Sequence, residues 1–426
     1  MTKHNLLDCI SRMDSSKLSV HAERCLHVRH KNADCLRCAD VCTVHAISRD
    51  EDGSMAVAPE KCIGCGTCAS VCPTACLTAL NPTDAQLEAA LLRALAQSRG
   101  SVAMACQKAL DAAREQLAAP ADAPLTADGM PVVGVVCLGR AEEGMLTEAV
   151  AKGASAISLI HHDCETCDHI TGGNLSCSIC DSMTSLLAAI GSSAVVKRVP
   201  GNEVSWAAAA EDGSGVAFVA KQDDFAADAT EIDMVFAHVQ KDGTLPHVVP
   251  ERRLRLYNSL KRMAAGAELT GTITTRLWGQ VDLNTELCRS CRMCTVFCPT
   301  GALARFTGKD GGFGVEHRST LCVQCGLCAT LCPEQAITVS NTVSVPEFMT
   351  GTKFRFEMQP LGWKPNCADA ITSHMVRYFQ MPNIQDLEGN LKSYEVRDGH
   401  RYARERDARR AEIRRGVEEA AEGSTE

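Results

Sequence analysis

The chain has 426 residues, 25 of them cysteine, and a formal net charge of -9. That many cysteines leaves a disulfide scaffold or metal chemistry, and the scaffold reading is excluded because such proteins are short and secreted, whereas no signal peptide or twin arginine opens this sequence. The acidic balance disfavours a nucleic-acid surface and no apolar run approaches the roughly 18 residues of a membrane span, so the expected setting is the reducing cytoplasm.

The first cysteine-rich block covers residues 25 to 72. Its second half, Cys62-Ile-Gly-Cys65-Gly-Thr-Cys68-Ala-Ser-Val-Cys72-Pro73, has the C-x2-C-x2-C-x3-C-P spacing of a 4Fe-4S ligand run, in which the fourth cysteine serves the other cluster of a pair. Thiolates two residues apart on a tight loop reach different irons of one cube. Gly64 and Gly66 suit such a loop, because glycine permits left-handed turns and close approach. The first half departs from the spacing: Asn32 stands where a cysteine is expected, and Thr43 replaces the proline after Cys42. A cube takes four thiolates, so the favoured repair brings Cys25 from a longer loop. Cys25, Cys35, Cys38 and Cys72 then hold one cluster, and Cys42, Cys62, Cys65 and Cys68 the other. Asn32, His27 or His30 stand as fallback ligands. Cys9 has no assigned role, and Cys76 reads as a buried, inert thiol. Gly64-Cys-Gly66-Thr-Cys-Ala69 fits a dinucleotide-binding fingerprint in letters only, since no strand of such a unit precedes it.

From residue 83 the texture changes. Thr83-Asp-Ala-Gln86 is a capping box opening a helix with Leu87, Leu91 and Leu95 on one face. Strands are predicted over Ser101 to Ala105, Val132 to Leu138, Ser155 to Ile160 and Ala194 to Val199. Helices are predicted over Lys108 to Ala118, Glu142 to Ala151 and Ser176 to Ile190. This alternation implies a small parallel α/β domain over residues 83–200. Cys106, Cys137 and Cys164 fall at or beyond carboxyl strand ends, the edge where open parallel sheets bind ligands. Two C-x2-C pairs, Cys164/Cys167 and Cys177/Cys180, are separated by a glycine-bearing stretch read as a loop. They make the favoured quartet for a fifth iron-sulfur cluster, with zinc on the same residues or a redox-active thiol pair as alternatives. Cys106 and Cys137 stand as substitutes for Cys177 or Cys180, or as buried thiols. His161 and His162 read as polar strand-end residues.

Residues 201–280 form a connecting region with short strands expected at Gly215 to Ala220 and Met234 to His238. A helix over Glu251 to Ala265 carries Arg252, Arg253, Arg255, Lys261 and Arg262. Its charge reads as a solvated surface or as a face for an acidic redox partner. Trp278 and Val281 lead into the second cysteine block, residues 281–345. There Cys288, Cys291, Cys294 and Cys298-Pro299 are followed by Cys322, Cys325, Cys328 and Cys332-Pro333, two regular runs in succession. Residues 346–426 are an extension holding Cys367 and ending in a charge-mixed helix over Tyr402 to Glu422, with Glu405 four before Arg409.

On these runs the segments 25 to 80 and 281 to 340 resemble the bacterial dicluster ferredoxin family. The resemblance implies that Cys288, Cys291, Cys294 and Cys332 hold one 4Fe-4S cluster and Cys298, Cys322, Cys325 and Cys328 the other. It also implies small modules of two strand pairs and two short helices. The whole layout is similar to polyferredoxin subunits that join redox enzymes to electron donors, and the middle domain bears a fainter likeness to cysteine-bearing α/β subunits of hydrogenase and heterodisulfide reductase assemblies.

The expected architecture is therefore α+β and α/β multidomain: an N-terminal ferredoxin-like dicluster module (1–82) and a C-terminal one (281–345) flanking the small parallel α/β domain. The expected function is electron transfer through four or five 4Fe-4S clusters between donor and acceptor oxidoreductases. A redox enzyme with its metal or thiol centre in the middle domain, and a redox-sensing or zinc regulatory protein, are the alternatives. No P-loop, H-E-x-x-H or radical motif supports an enzyme.

Overall fold

The computed structural model describes residues 17–30, 32–49, 55–121, 123–209, 244–309 and 311–358. The expected strands at 215–220 and 234–238, the helix at 402–422, Cys9 and Cys367 lie outside them, as does most of the C-terminal extension. Apart from Arg289–Cys291, the described residues belong to one compact unit.

The N-terminal module is built on two antiparallel pairs. Strand β1 (Leu18–Val20) joins β4 (Leu77–Ala79), and β2 (Ile47–Arg49) joins β3 (Met55–Val57). Three short helices fill it, α1 (Leu26–Arg29), α2 (Arg37–Asp40) and α3 (Thr67–Val71). A module this small has little aliphatic material. Its core is Leu18, Val20, Met55, Val57 and Leu77 packed on Cys25, Cys62, Cys68, Cys72 and Cys76. The cysteine side chains are as much a part of the packing as the aliphatic ones.

Next comes α4 (Asp84–Ala96), opened by the predicted capping box: Gln86 N–H donates to Thr83 Oγ1 at 3.2 Å and Thr83 N–H to Gln86 Oε1 at 2.9 Å. The six-stranded sheet contains β5 (Ser101–Cys106), β6 (Leu125–Ala127), β7 (Met130–Val135), β8 (Ala156–His161), β9 (Val195–Pro200) and β10 (Trp206–Ala208), in the order β10-β6-β7-β5-β8-β9. The strands β7, β5, β8 and β9 are parallel, as the alternation predicts. The antiparallel edge made by β6 and β10 is an addition; three-residue strands give too little periodicity to be seen in sequence. Helices α5 (Gln107–Leu117), α6 (Glu143–Ala151) and α7 (Ile170–Ala189) connect the parallel strands. Helix α7 starts six residues before its predicted beginning, so the glycine-bearing stretch between the two C-x2-C pairs is helix rather than loop.

The following helix, α8 (Glu251–Met263), packs against α6, and Leu256 and Leu260 join the main core. Arg252, Arg253 and Arg255 face inward. The Arg252 guanidinium donates to the carbonyls of Ala69 and Cys72 in the N-terminal module, and Arg255 pairs with Glu88 at 2.5 Å and Glu142 at 2.9 Å. Arg262 pairs with Glu148. Neither a solvated face nor a partner-docking face describes Arg252 and Arg255, which fasten the N-terminal module and the α/β domain together; Lys261 and Arg262 are exposed, as a solvated surface predicts.

The C-terminal module pairs β11 (Thr272–Thr274) with β16 (Thr342–Ser344) and β12 (Gln280–Leu283) with β15 (Ile337–Ser340). It adds a sheet of β13 (Leu303–Thr307), β14 (Phe313–His317) and β17 (Phe354–Glu357). Helices α9 (Met293–Phe297), α10 (Leu327–Leu331) and α11 (Val345–Thr350) complete it. Trp278 is fully buried, with its ring 4.4 Å from Phe348 of α11, and both belong to the core of the α/β domain. Among the described residues no helix is long and apolar enough to cross a membrane.

Candidate metal centres

The cysteine runs share one backbone plan. In each regular run the residues before and after the second cysteine have positive φ: Gly64 and Gly66, Ser290 and Arg292, Gln324 and Gly326. Left-handed backbone costs a non-glycine residue about 1–2 kcal/mol, so Ser290, Arg292 and Gln324 hold it against their own preference. Turns of this kind line up successive amide N–H groups around an anionic centre. The irregular first run lacks the pair, with Leu36 at φ -114 and neither Asp34 nor Leu36 in the positive region. A second feature recurs in all four runs. The third residue after the fourth cysteine is left-handed at His45, Ala75, Gly301 and Gln335. In three of the runs the next amide donates to the cysteine sulfur: Ala46 to Cys42 at 3.2 Å, Cys76 to Cys72 at 3.2 Å and Ala336 to Cys332 at 3.3 Å. N–H donors on sulfur favour the ionised, metal-binding thiolate.

Side-chain placement groups the sulfurs. Burial, then the neighbouring Cys72, Cys25 and Cys35, pushes the Cys38 thiol up to about 12. Burial, then Cys65, Cys62, Cys38 and Cys42, raises Cys68. Cys25, Cys35, Cys38 and Cys72 are thus mutual neighbours, and Cys42, Cys62, Cys65 and Cys68 form a second set beside them. In the C-terminal module burial pushes Cys325 up to about 12, with Cys298 and Cys322 adding to it. Cys328 is raised by burial and then by Cys325, Cys322, Cys298 and Cys294. Without metal these thiols are held neutral; a cluster must displace their protons as it binds. Among the described residues no three His, Cys, Asp or Glu side chains are grouped closely enough to hold a single ion. Four thiolates that each take a separate iron of a cube do not need to converge so tightly.

One cysteine outside the predicted sets lies within them. Cys76 is 3 % exposed and hydrogen-bonded through its thiol to Cys25, which that bond draws below its ordinary range while the same bond pushes Cys76 up. The sequence held a signal for it: four residues after the fourth cysteine the other three runs carry Ala46, Ala302 and Ala336.

The two modules meet directly. Arg29, buried at the end of α1, donates to the carbonyls of Pro246 at 2.8 Å, Cys298 at 3.2 Å and Phe297 at 3.4 Å. His30 stands edge-on to Phe297 at 4.8 Å, and Arg37 donates to the carbonyl of Gln324 at 2.8 Å. The irregular run of the first module therefore faces the Cys298 and Cys322–Cys328 segments of the second.

On the other side of the N-terminal module lies the carboxyl edge of the sheet. The parallel strand order β7-β5-β8-β9 reverses direction between β5 and β8, the switch point at which doubly wound sheets open a crevice. A pocket of about 330 Å³, open space at its mouth included, lies there, lined by Cys106, Cys137, Cys164 and Cys167 with His161, His162 and His169. His162 N–H donates to Cys106 Sγ at 3.4 Å. Burial, then Cys65, Cys106 and Cys164, pushes Cys137 up to about 12, which places it beside a predicted ligand of the N-terminal module. Thr43 Oγ1 donates to the Asp168 carbonyl at 2.6 Å and Thr171 Oγ1 to that of Val41 at 2.7 Å, tying the pocket to the module. A Cβ on Gly172 would stand 2.4 Å from Cys137 Sγ, so glycine is what lets α7 begin against that sulfur.

Of the predicted quartet, Cys164 and Cys167 line this pocket. Cys177 is also a neighbour of Cys164, and Arg198 bridges the two, with Nη1 2.7 Å from Cys177 Sγ and Nη2 3.4 Å from Cys164 Sγ. Cys180, one turn further along α7, packs on the main core. The structure groups Cys106 and Cys137 with Cys164 and Cys167 in the pocket, and His161 and His162 line it too.

Residues 33–76 and 287–336 match the family model of the 4Fe-4S dicluster domain. No curated protein is significantly similar to the chain.

Proposed function

We propose that this chain, which carries two 4Fe-4S dicluster domains, relays single electrons between a donor and an acceptor oxidoreductase through four clusters and a fifth centre in the α/β domain. The observation that carries the reading is the double contact of the N-terminal module. Arg29 and Arg37 tie it to the C-terminal module, and Thr43, Thr171 and the Cys65–Cys137 neighbourhood tie it to the pocket. The clusters supply one-electron oxidation and reduction when bound. The ligand sets are Cys25, Cys35, Cys38 and Cys72; Cys42, Cys62, Cys65 and Cys68; Cys288, Cys291, Cys294 and Cys332; and Cys298, Cys322, Cys325 and Cys328. Backbone amides donating to Cys42, Cys72 and Cys332 favour the more negative, reduced state, and the buried Arg29 does the same beside Cys298. On this reading the pocket of the α/β domain joins the path at the N-terminal module.

For the fifth centre, the convergence in the pocket supports Cys106, Cys137, Cys164 and Cys167 over a set completed by Cys177 and Cys180. The same pocket also favours a second reading, an enzyme whose redox chemistry occurs at that edge, because its mouth is open and its rim carries His161, His162 and Lys108. Iron and acid-labile sulfide counts on anaerobically purified protein test the scheme. About sixteen irons mean four clusters and about twenty mean five. A count near eight, or stoichiometric zinc, overturns it. Replacing Cys137 and, separately, Cys180 by alanine then shows which set holds the middle centre: iron is lost with the first and kept with the second.

A further inference from the structure

Two buried donors at the seam between the N-terminal module and the α/β domain have no acceptor among the described residues, Arg140 Nε and Thr67 Oγ1. Arg140 is 4 % exposed and Thr67 1 %. Buried polar groups are nearly always hydrogen-bonded, so an exception points to a partner of another kind. Thr67 belongs to the ligand loop that runs from Cys62 to Cys68, and Arg140 lies against the same loop: a Cβ on Gly66 would stand 3.1 Å from Arg140 Nε. The Nη2 end of the guanidinium is already engaged, paired with Asp84 and donating to the Pro82 carbonyl at 3.3 Å. That holds the Nε end in place against the loop. The matching positions of the C-terminal module carry no such cover, because Arg292 turns onto the Phe313 ring at 4.8 Å and a Cβ on Gly326 would meet nothing within 4 Å. Arg140 also closes the 3-10 turn Leu138–Arg140, whose N-cap is Cys137, and its amide donates to the Cys137 carbonyl at 3.1 Å. One turn of the α/β domain therefore carries a pocket cysteine at its start and a charge on the ligand loop at its end.

We propose that Arg140 sets the potential of the cluster on Cys42, Cys62, Cys65 and Cys68: its guanidinium is a fixed positive charge against the ligand loop, and its free Nε–H is the donor kept for that anionic group. The inference rests on the reading of those four cysteines as cluster ligands. A cluster gains one negative charge when it takes an electron, so a nearby cation and a charged N–H donor favour the reduced form over the oxidised one. Burial keeps salt and solvent from screening the effect. The α/β domain thereby raises the potential of the cluster whose loop adjoins its own pocket. Thr67 marks how close the two are, since a Cβ on Gly172 would meet both Thr67 Oγ1, at 2.8 Å, and the Cys137 sulfur.

The test is a redox titration of the full chain, purified anaerobically and followed by the paramagnetic resonance of the reduced clusters, with iron and sulfide counts to check loading. Arg140→Met is expected to keep the parental iron count and to shift one cluster, whose reduced-to-oxidised ratio at a fixed potential falls about tenfold, or about 59 mV for one electron. Arg140→Lys keeps the charge without the Nε–H and is expected to move the same cluster in the same direction by less. Asp84→Asn removes the partner of the Nη2 end and leaves the Nε end, so no cluster is expected to fall in potential. A fall in Asp84→Asn equal to that in Arg140→Met reduces the effect to packing and overturns the inference, as does an unchanged potential in Arg140→Met. Where Arg140→Met loses iron, the intact chain grown on 15N-arginine decides. A nitrogen coupling to a reduced cluster is expected in the parent and not in Arg140→Lys; its absence from the parent overturns the proposal. Cys65→Ala separates the inference from the reading beneath it. If Cys65→Ala keeps the iron count and every resonance, there is no such cluster and both fall together; if it alters one resonance and Arg140→Met shifts a different one, the inference alone fails.

Discussion

Gly66 and Gly326 hold the same place in the two dicluster modules, left-handed at φ 71 and 76, yet their surroundings differ. A Cβ on Gly66 would stand 2.4 Å from Arg140 Cδ, whereas one on Gly326 would meet nothing within 4 Å. The loop geometry belongs to the cysteine run, and what lies against it belongs to the assembly. The N-terminal module is clamped on two sides, by α8 and the sheet edge on one and by the C-terminal module on the other. The C-terminal module keeps the regular spacing in both its runs; the N-terminal module departs from it in its first.

Four measurements break or sharpen this contrast. The largest effect is expected from Arg252→Met, which removes a buried guanidinium from the Ala69 and Cys72 carbonyls. Charged hydrogen bonds of this kind are worth about 1.5–3 kcal/mol each, so unfolding of the N-terminal module should become easier by about 4 kcal/mol. Hydrogen exchange resolved by segment reads this; unchanged protection of residues 62–79 would falsify the clamp. The next concerns acid and the C-terminal module. His317 is fully buried, accepts from the Val281 amide at 3.2 Å, and is lowered by burial to about 4. Its folded form binds fewer protons than its unfolded form, so its contribution is present above about pH 6.5 and is lost as pH falls toward 4. The full effect is about 3 kcal/mol. The thermal midpoint should drop more steeply between pH 7 and 5 in the parent than in His317→Gln; equal slopes would discard the assignment.

Gly66→Ala against Gly326→Ala tests the contrast itself. Backbone strain costs both about 1 kcal/mol, but only Gly66→Ala must also displace Arg140 from Asp84 and the Pro82 carbonyl, adding about 1–3 kcal/mol. Denaturant midpoints that move equally would place the two loops in equivalent settings. The smallest effect is electrical. Arg29→Met withdraws a buried positive charge from the neighbourhood of Cys298 and Cys325. It should lower the potential of one C-terminal cluster by about 60 mV, about 1.4 kcal/mol for one electron. Redox titration followed by paramagnetic resonance measures it, and a shift confined to a cluster of another ligand set would relocate the contact.

Legibility in the sequence followed the range of the forces involved. The Thr83–Gln86 cap, the apolar face of α4 and the four parallel strands rest on neighbours within a few residues, and all were readable. The cysteine runs were readable because each loop closes on itself. The start of α7 was missed because glycines at 172 and 173 signal a loop when nothing shows that Cys137 and Cys164 press against them. The inward half of the charge on α8 was not legible for the same reason: Arg255, facing Glu142, and Arg262, exposed, look alike in one dimension.

By itself, then, the sequence determined the number and spacing of the cysteine runs, the irregularity at Asn32 and the alternation of the middle domain, because loop ligation and local periodicity act over short stretches of chain. Only the tertiary structure decided that the two modules touch through Arg29, and that the α/β pocket stands beside the first module. It also brought Cys106 and Cys137 to Cys164, and Cys76 to Cys25. Those are contacts between segments tens to hundreds of residues apart, set by how separate buried faces pack together, and no spacing within one segment encodes them.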